Sequence, residues 1–229
     1  MIAHAPPPPV EVSAALTTTE VKVTSGFRGA RIDLYGAVFS AKPTDVVVVV
    51  RGPEQPITLS RKVRVGGMWI NSRPRTFGGT PGYYMAASTR PLSQIATPVV
   101  QHRYGLGLAS LMPQPAIAPD WRAAAIRLKA GQGLFAEAGD GVTFVDRNLF
   151  RAEINLPTTA PIGTYQAEIF LFARGQPVSR KTTVMRVEKA GVERALYLFA
   201  HQRPWLYGLV SVLIALAAGW AASAAFRRH

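Results

Sequence analysis

Between Glu54 and Asp120 the chain carries no acid, yet Arg61, Lys62, Arg64, Arg73, Arg75, Arg90 and Arg103 all fall in that interval. Trp69, Phe77, Tyr83, Tyr84 and Tyr104 are interleaved with them. Cations without a counter-charge raise the local potential and attract an anionic surface or ligand. Aromatic rings beside guanidinium groups can also stack on planar or sugar rings. Two readings follow. Either the segment binds an anion (an acidic glycan, a lipid headgroup or a small oxyanion), or the cations ring a solvated rim while the aromatics belong to the core.

Other chemistry finds little support in the residue types. The histidines His4, His102, His201 and His229 are scattered, with no His-x-x-x-His or His-x-x-Glu spacing to hold a metal. There are no cysteines, which excludes disulfides, thiolate zinc sites and cysteine nucleophiles. Asp140 and Asp146 are close in sequence, but each stands where a turn needs Asp. Ser25-Gly26 and Gly105-x-Gly107 fit neither a nucleophile elbow nor a phosphate loop. No cofactor, no metal and no enzymatic activity are expected.

The element that positions everything else lies at the far end. Residues 204–226, PWLYGLVSVLIALAAGWAASAAF, contain no charge. As a helix they would extend about 34 Å, against a hydrocarbon thickness of about 30 Å. This predicts one transmembrane helix, closed by Arg203 before it and by the basic tail 227–229 after it. Ser211, Ala215, Gly219 and Ser223 recur four apart and form a smooth stripe on which another helix can approach closely. Such a stripe fits a membrane-protein partner or a homo-oligomer; alanine-rich spans also produce it by chance. Residues 190–203 read as a short amphipathic juxtamembrane helix, with Val192, Ala195, Leu196 and Phe199 at helical spacing. Tyr197, Trp205 and Tyr207 are the expected interface anchors.

Residues 10–189 have the texture of strands. Ala30, Ile32, Leu34, Gly36 and Val38 alternate with Arg31 and Asp33, and Val46 to Val50 form a run suited to a central strand. Ile57 to Val65 and Met68 to Asn71, broken at Gly66-Gly67, predict a hairpin, and Tyr83 to Ser88 a further short strand. Helical signals occupy a stretch of about 91–138. In its second helix, Asp120 to Ala130, Trp121, Ala124, Ala125 and Leu128 form the apolar stripe and Gly131 suits the residue just past the end. Strands return with Phe150, Ala152, Ile154 and Leu156, and again with Tyr165, Ala167, Ile169 and Leu171. The expected fold is mainly β: an immunoglobulin-like β-sandwich with a helical insertion, followed by the span. Pro161 to Tyr165 looks like the corner before a penultimate strand, its Tyr hydroxyl tied back to the corner or its ring packed inward. The first and last strand groups as two small domains is the alternative.

The formal net charge is +13. Such an excess favours anionic partners, and with an anchor present nucleic acid is not expected among them. Residues 1–9, a proline-rich stub, show neither the basic start nor the apolar run of a secretory signal, although Ala3-His4-Ala5 fits the pattern preceding a cleavage site. Either a signal lies outside this numbering or the protein is tail-anchored with its bulk in the cytosol.

Several stretches together resemble a family of single-span membrane proteins described from alphaproteobacteria, of the Alph_Pro_TM type. They are VKVTSGFRGARIDLYGA (21–37), DVVVVVRGP (45–53), RKVRVGGMWIN (61–71), YMAASTRPL (84–92), INLPTTAPIGTYQAEIFLF (154–172) and the tail from Ala200 to Arg228. The resemblance covers nearly the whole chain. It implies a cleaved signal, a bulk domain in the periplasm, one inner-membrane span and a short cytoplasmic tail. It brings no activity and no catalytic residues. The leading expectation is a non-enzymatic, membrane-anchored periplasmic accessory or binding subunit of an inner-membrane assembly; the alternative is an anion-binding domain using 61–103.

Overall fold

Strands whose side chains alternate between apolar and polar need a layer to bury one face, and runs that are apolar throughout need cover on both. Both kinds are present in the computed structural model, which describes residues 11–40, 44–111 and 118–190 together with 205, 208, 212, 216, 217 and 220. The first strands are β1 (Glu11–Leu16), β2 (Glu20–Val23), β3 (Ala30–Phe39) and β4 (Asp45–Arg51). They are followed by β5 (Glu54–Leu59), β6 (Lys62–Val65), β7 (Met68–Asn71), β8 (Arg75–Pro81) and β9 (Tyr84–Ser88). Helices α1 (Leu92–Ile95), α2 (Pro98–Tyr104) and α3 (Pro119–Gly131) come next, with a 3-10 turn at Leu108–Ser110. The chain then forms β10 (Phe135–Ala138), β11 (Val142–Phe144), β12 (Leu149–Leu156), β13 (Gly163–Ala173) and β14 (Gln176–Lys189).

The protein is mainly β. One sheet has the order β1-β3-β12-β11 and the other β10-β9-β4-β13-β14-β2, packed across a shared core. The first and last strand groups are therefore not separate domains: β3 pairs with β12 and β4 with β13. Val46 to Val50 are fully buried at the centre of the larger sheet, each valine contributing about 1.5–3 kcal/mol by leaving water. In the smaller sheet Ile32 stands opposite Ile154 and Leu34 opposite Ala152 on the buried face. On the other face Asp33 opposes Glu153, a like-charge pair that would be unfavourable alone. Arg151 reaches Asp33 at 2.8 Å and Arg31 reaches Glu153 at 3.2 Å, which neutralises both.

Several local expectations are corrected. β13 is covered on both faces, because Glu168, Phe170 and Phe172 are buried as well as Tyr165, Ala167, Ile169 and Leu171. The residues 135–138, read from sequence as the end of the helical stretch, are β10, which pairs in parallel with β9 and closes the insertion at its base. The helical stretch, expected to open with one helix from Pro91 to about Val100, opens with two short ones, α1 and α2, since Pro98 starts a new one. Leu128, placed on the apolar stripe of α3, is exposed, whereas Ala125 is fully buried. Gly131 is still helical, and Gly133 takes the left-handed conformation at φ 70°. β8 went unpredicted: Arg75–Pro81 pairs with β5 despite two glycines and a proline.

The chain divides into two units, Met1–Glu188 and Lys189–His229. In the second, Trp205, Gly208, Val212, Leu216, Ala217 and Trp220 are helical and exposed. Among the described residues no helix is long and apolar enough to cross a membrane. The proline-rich stub, the juxtamembrane stretch from 191, most of 204–226 and the tail 227–229 lie outside the described residues. So do Ser211, Ala215, Gly219, Ser223, Tyr197 and Tyr207.

Candidate functional site

Between β4 and β9 the chain makes two hairpins end to end. β5 and β8 pair antiparallel, and so do β6 and β7, neither hydrogen-bonding to the main sheets. The Arg61 carbonyl accepts from the Ser72 amide at 2.6 Å and the Ser72 hydroxyl accepts from the Arg61 amide at 3.0 Å, so the hairpins form one continuous arm. Gly66 and Gly67, at φ 58° and 85°, supply the two left-handed positions that a two-residue hairpin turn requires. The base of the arm packs on α3. Ile57 and Leu59 are buried there, and the Phe77 ring lies 6.1 Å from that of Trp121. A cleft of about 410 Å³ separates Leu59, Ser60 and Arg61 from Asp120, Trp121 and Arg127.

The seven cations of the acid-free segment are all exposed, but they do not form one site. Arg61, Lys62, Arg64, Arg73 and Arg75 stand on the arm, Arg90 follows β9 and Arg103 sits on α2. Arg90 is neutralised: it grips both oxygens of Asp45, through Nε at 2.8 Å and Nη2 at 2.5 Å. That bond, more than any other contact, holds the Asp45 carboxyl below the usual carboxylate range. Arg61 comes within 3.3 Å of Asp120, with both side chains well exposed, a pair of small energetic weight. The expectation of seven cations without counter-charges is thus corrected for two of them, whose acids lie just outside the interval. Arg64 donates to the Gly67 carbonyl at 3.3 Å, and Arg75 lies 5.8 Å over the Trp121 ring. Among the described residues no acid pairs with Lys62, Arg64, Arg73, Arg75 or Arg103.

The interleaved aromatics also divide. Tyr83 and Tyr84 are core, and burial pushes both phenols above the ordinary tyrosine range. Tyr104 packs edge-on against Phe170. Trp69 is different. Together with Met68 and Ile70 it is exposed on β7, at 67%, 69% and 46%. Arg64 stands opposite Trp69 and Lys62 opposite Asn71, so both cations share a face with the indole while Met68 and Ile70 point to the other.

A polar node that the sequence did not signal sits in the larger sheet. Glu168 of β13 is buried and bonded to Arg51 of β4 and Arg180 of β14. Arg51 also donates to the carbonyls of Tyr104 and Gly105, at 3.0 and 2.9 Å, and Tyr84 donates its hydroxyl to the Gly105 carbonyl at 2.9 Å. A buried carboxylate costs several kcal/mol in lost hydration, which two guanidinium groups offset. The node fastens the end of α2 onto the sheet, and both Glu168 oxygens are engaged in doing so. Glu168 lies on the face of β13 opposite Tyr165, Ala167, Ile169 and Leu171, and the end of α2 over that face helps to bury it. At the corner Pro157 to Gly163, the Tyr165 hydroxyl donates to the Pro161 carbonyl at 2.7 Å while its ring is fully buried against Tyr83, so the tyrosine is both tied back and packed inward.

Among solved structures, the sporulation control protein Spo0M of Bacillus subtilis matches at 11% identity with a TM-score of 0.30, covering 85% of this chain and 55% of its own. The chain thus spans about half the length of that protein. No curated protein matches the chain. Residues 11–228 match the model of the family described as "Putative transmembrane protein (Alph_Pro_TM)". That match runs through the β unit and the charge-free segment together, and the chain belongs to this family.

Proposed function

We propose that the protein is a non-enzymatic accessory or binding subunit, anchored by residues 204–226 in an inner membrane, with its β unit in the periplasm and its C-terminus in the cytoplasm. The observation that carries this reading is the junction of that charge-free run with a β unit whose buried charges already satisfy one another. The tied-back Tyr165 and the two facing sheets favour an immunoglobulin-like sandwich, a frame that presents loops and hairpins to partners. Ser211, Ala215, Gly219 and Ser223 would let a second helix, from another protein or from a second copy, lie close against the anchor.

Two measurements test it. Deleting everything after Gln202 should release the protein from carbonate-washed membranes; retention of the shortened chain in the pellet would defeat the anchoring. Gentle solubilisation of the full chain should bring down a membrane-protein partner or a dimer. Recovery of free monomer alone would remove the subunit role. The alternative, an anion-binding domain, draws its support from the unpaired cations of the arm, and the segment that bears on it is narrower than 61–103.

A further inference from the structure

We infer that the tip of the β6–β7 hairpin is a docking element for the surface of an anionic phospholipid bilayer. This rests on the membrane anchoring proposed above, and it deepens the anion-binding alternative by naming the occupant and the residues. Three observations on the arm converge. From Gln55 to Pro81 there is no acid, whereas Arg61, Lys62, Arg64, Arg73 and Arg75 are all exposed, so the arm is complementary in charge to lipid phosphates. Beyond Arg61–Ser72 it leaves the core: every residue of β7 is exposed, including an adjacent Met, Trp and Ile. A two-residue glycine turn lets the hairpin reach outward as a narrow blade, with nothing within 4 Å of where a Cβ would stand on either glycine.

The residue types match the layers of a bilayer surface. Met68 and Ile70 suit the acyl boundary, an indole such as Trp69 prefers the headgroup level, and the cations on the face of the indole meet phosphates. An acidic protein face would satisfy the cations equally. It would not by itself account for three large apolar side chains standing in water at the extremity. A bilayer accounts for both.

The chain contains no cysteine, so a single reporter can be placed cleanly. The full chain carrying Met68→Cys, or Val145→Cys on an exposed loop as control, is labelled with an environment-sensitive fluorophore. It is then reconstituted into vesicles of phosphatidylcholine alone or mixed with phosphatidylglycerol. The label at 68, and not at 145, should shift to shorter wavelength and be quenched by spin-labelled acyl chains in the mixed vesicles only. Raising the salt should reverse this, as should the triple variant R61E/K62E/R64E, each cation being worth about five-fold in partitioning. Because these side chains are exposed, an unchanged circular dichroism spectrum separates lost docking from lost folding. A label at 68 equally open to aqueous iodide in both vesicles overturns the inference. So does one protected in native membranes and not in protein-free lipid, which would assign the tip to a protein partner. Failure of the chain to enter either vesicle is a distinct result; it overturns the anchoring first and the docking with it.

Discussion

Replacing Glu168 with Ala leaves two guanidinium groups without the carboxylate that holds them to β13. Arg180 is largely exposed and can turn to water; Arg51 is mostly buried and keeps only its two carbonyl partners. Breaking a buried pair on one side costs about 3–5 kcal/mol, and the exposure of Arg180 puts the expected loss at the lower end, about 3 kcal/mol. A urea titration should show a lower midpoint with an unchanged slope. Asp45 gives a prediction with a definite sign. Its folded pKa is depressed by Arg90, so the stabilisation is present above the unfolded pKa and fades as pH falls through the folded one. Wild type should therefore exceed Arg90→Gln in stability at neutral pH, and the two should converge below about pH 4. Parallel curves across that range would show that the pair does not contribute. Neither partner choice was legible in the sequence. Alternation assigns a residue to a face, but what covers that face is decided by chain far away, here the insertion carrying Tyr104 and Gly105.

At the level of strands, the close approach at Gly36 is the sharpest constraint. A Cβ there would lie 2.3 Å from the Phe150 ring and 2.8 Å from the Ser13 carbonyl oxygen. Gly36→Val should cost about 1–3 kcal/mol by overpacking. Adding Phe150→Ala should make the pair less destabilised than the sum of the single changes, since both act on one space. Strict additivity would place the strain elsewhere. The strands that were readable are those with clean period-two alternation or an unbroken valine run, because burial alone fixes them. β8 was not, since Arg75–Pro81 holds residues with poor strand preference and is pinned only by its partner β5. β10 was hidden for a related reason. Four residues after a helix carry too little pattern, and their pairing is with β9, on the other side of the insertion.

Among the described residues, the buried core lies within one unit. The buried apolar residues of the β unit run from Val12 to Val187, all before Lys189. A chain ending at Lys189 should therefore melt at the same temperature as the β unit in the full protein, whatever happens to its membrane association. A lower midpoint would show that the later residues stabilise the fold. The apolar run 204–226 was plain from composition, whereas the union of early and late strands in shared sheets was not, because pairing across more than a hundred residues leaves no local mark. Such pairings carry a large loop-closure cost before any contact rewards it, and folding should be slow for a domain of this size.

The last strand carries one more consequence. β14 is a single ladder partner of β13 from Gly163–Val187 inward to the hairpin, it is flanked on its other edge by β2, and the chain leaves the sheet at its end. A tug arriving at Lys189 along the strand axis loads that whole row of backbone bonds in shear, so they must fail together. Under the anchoring proposed above, a pull on the β unit would meet this shear-loaded row rather than peel the last strand bond by bond.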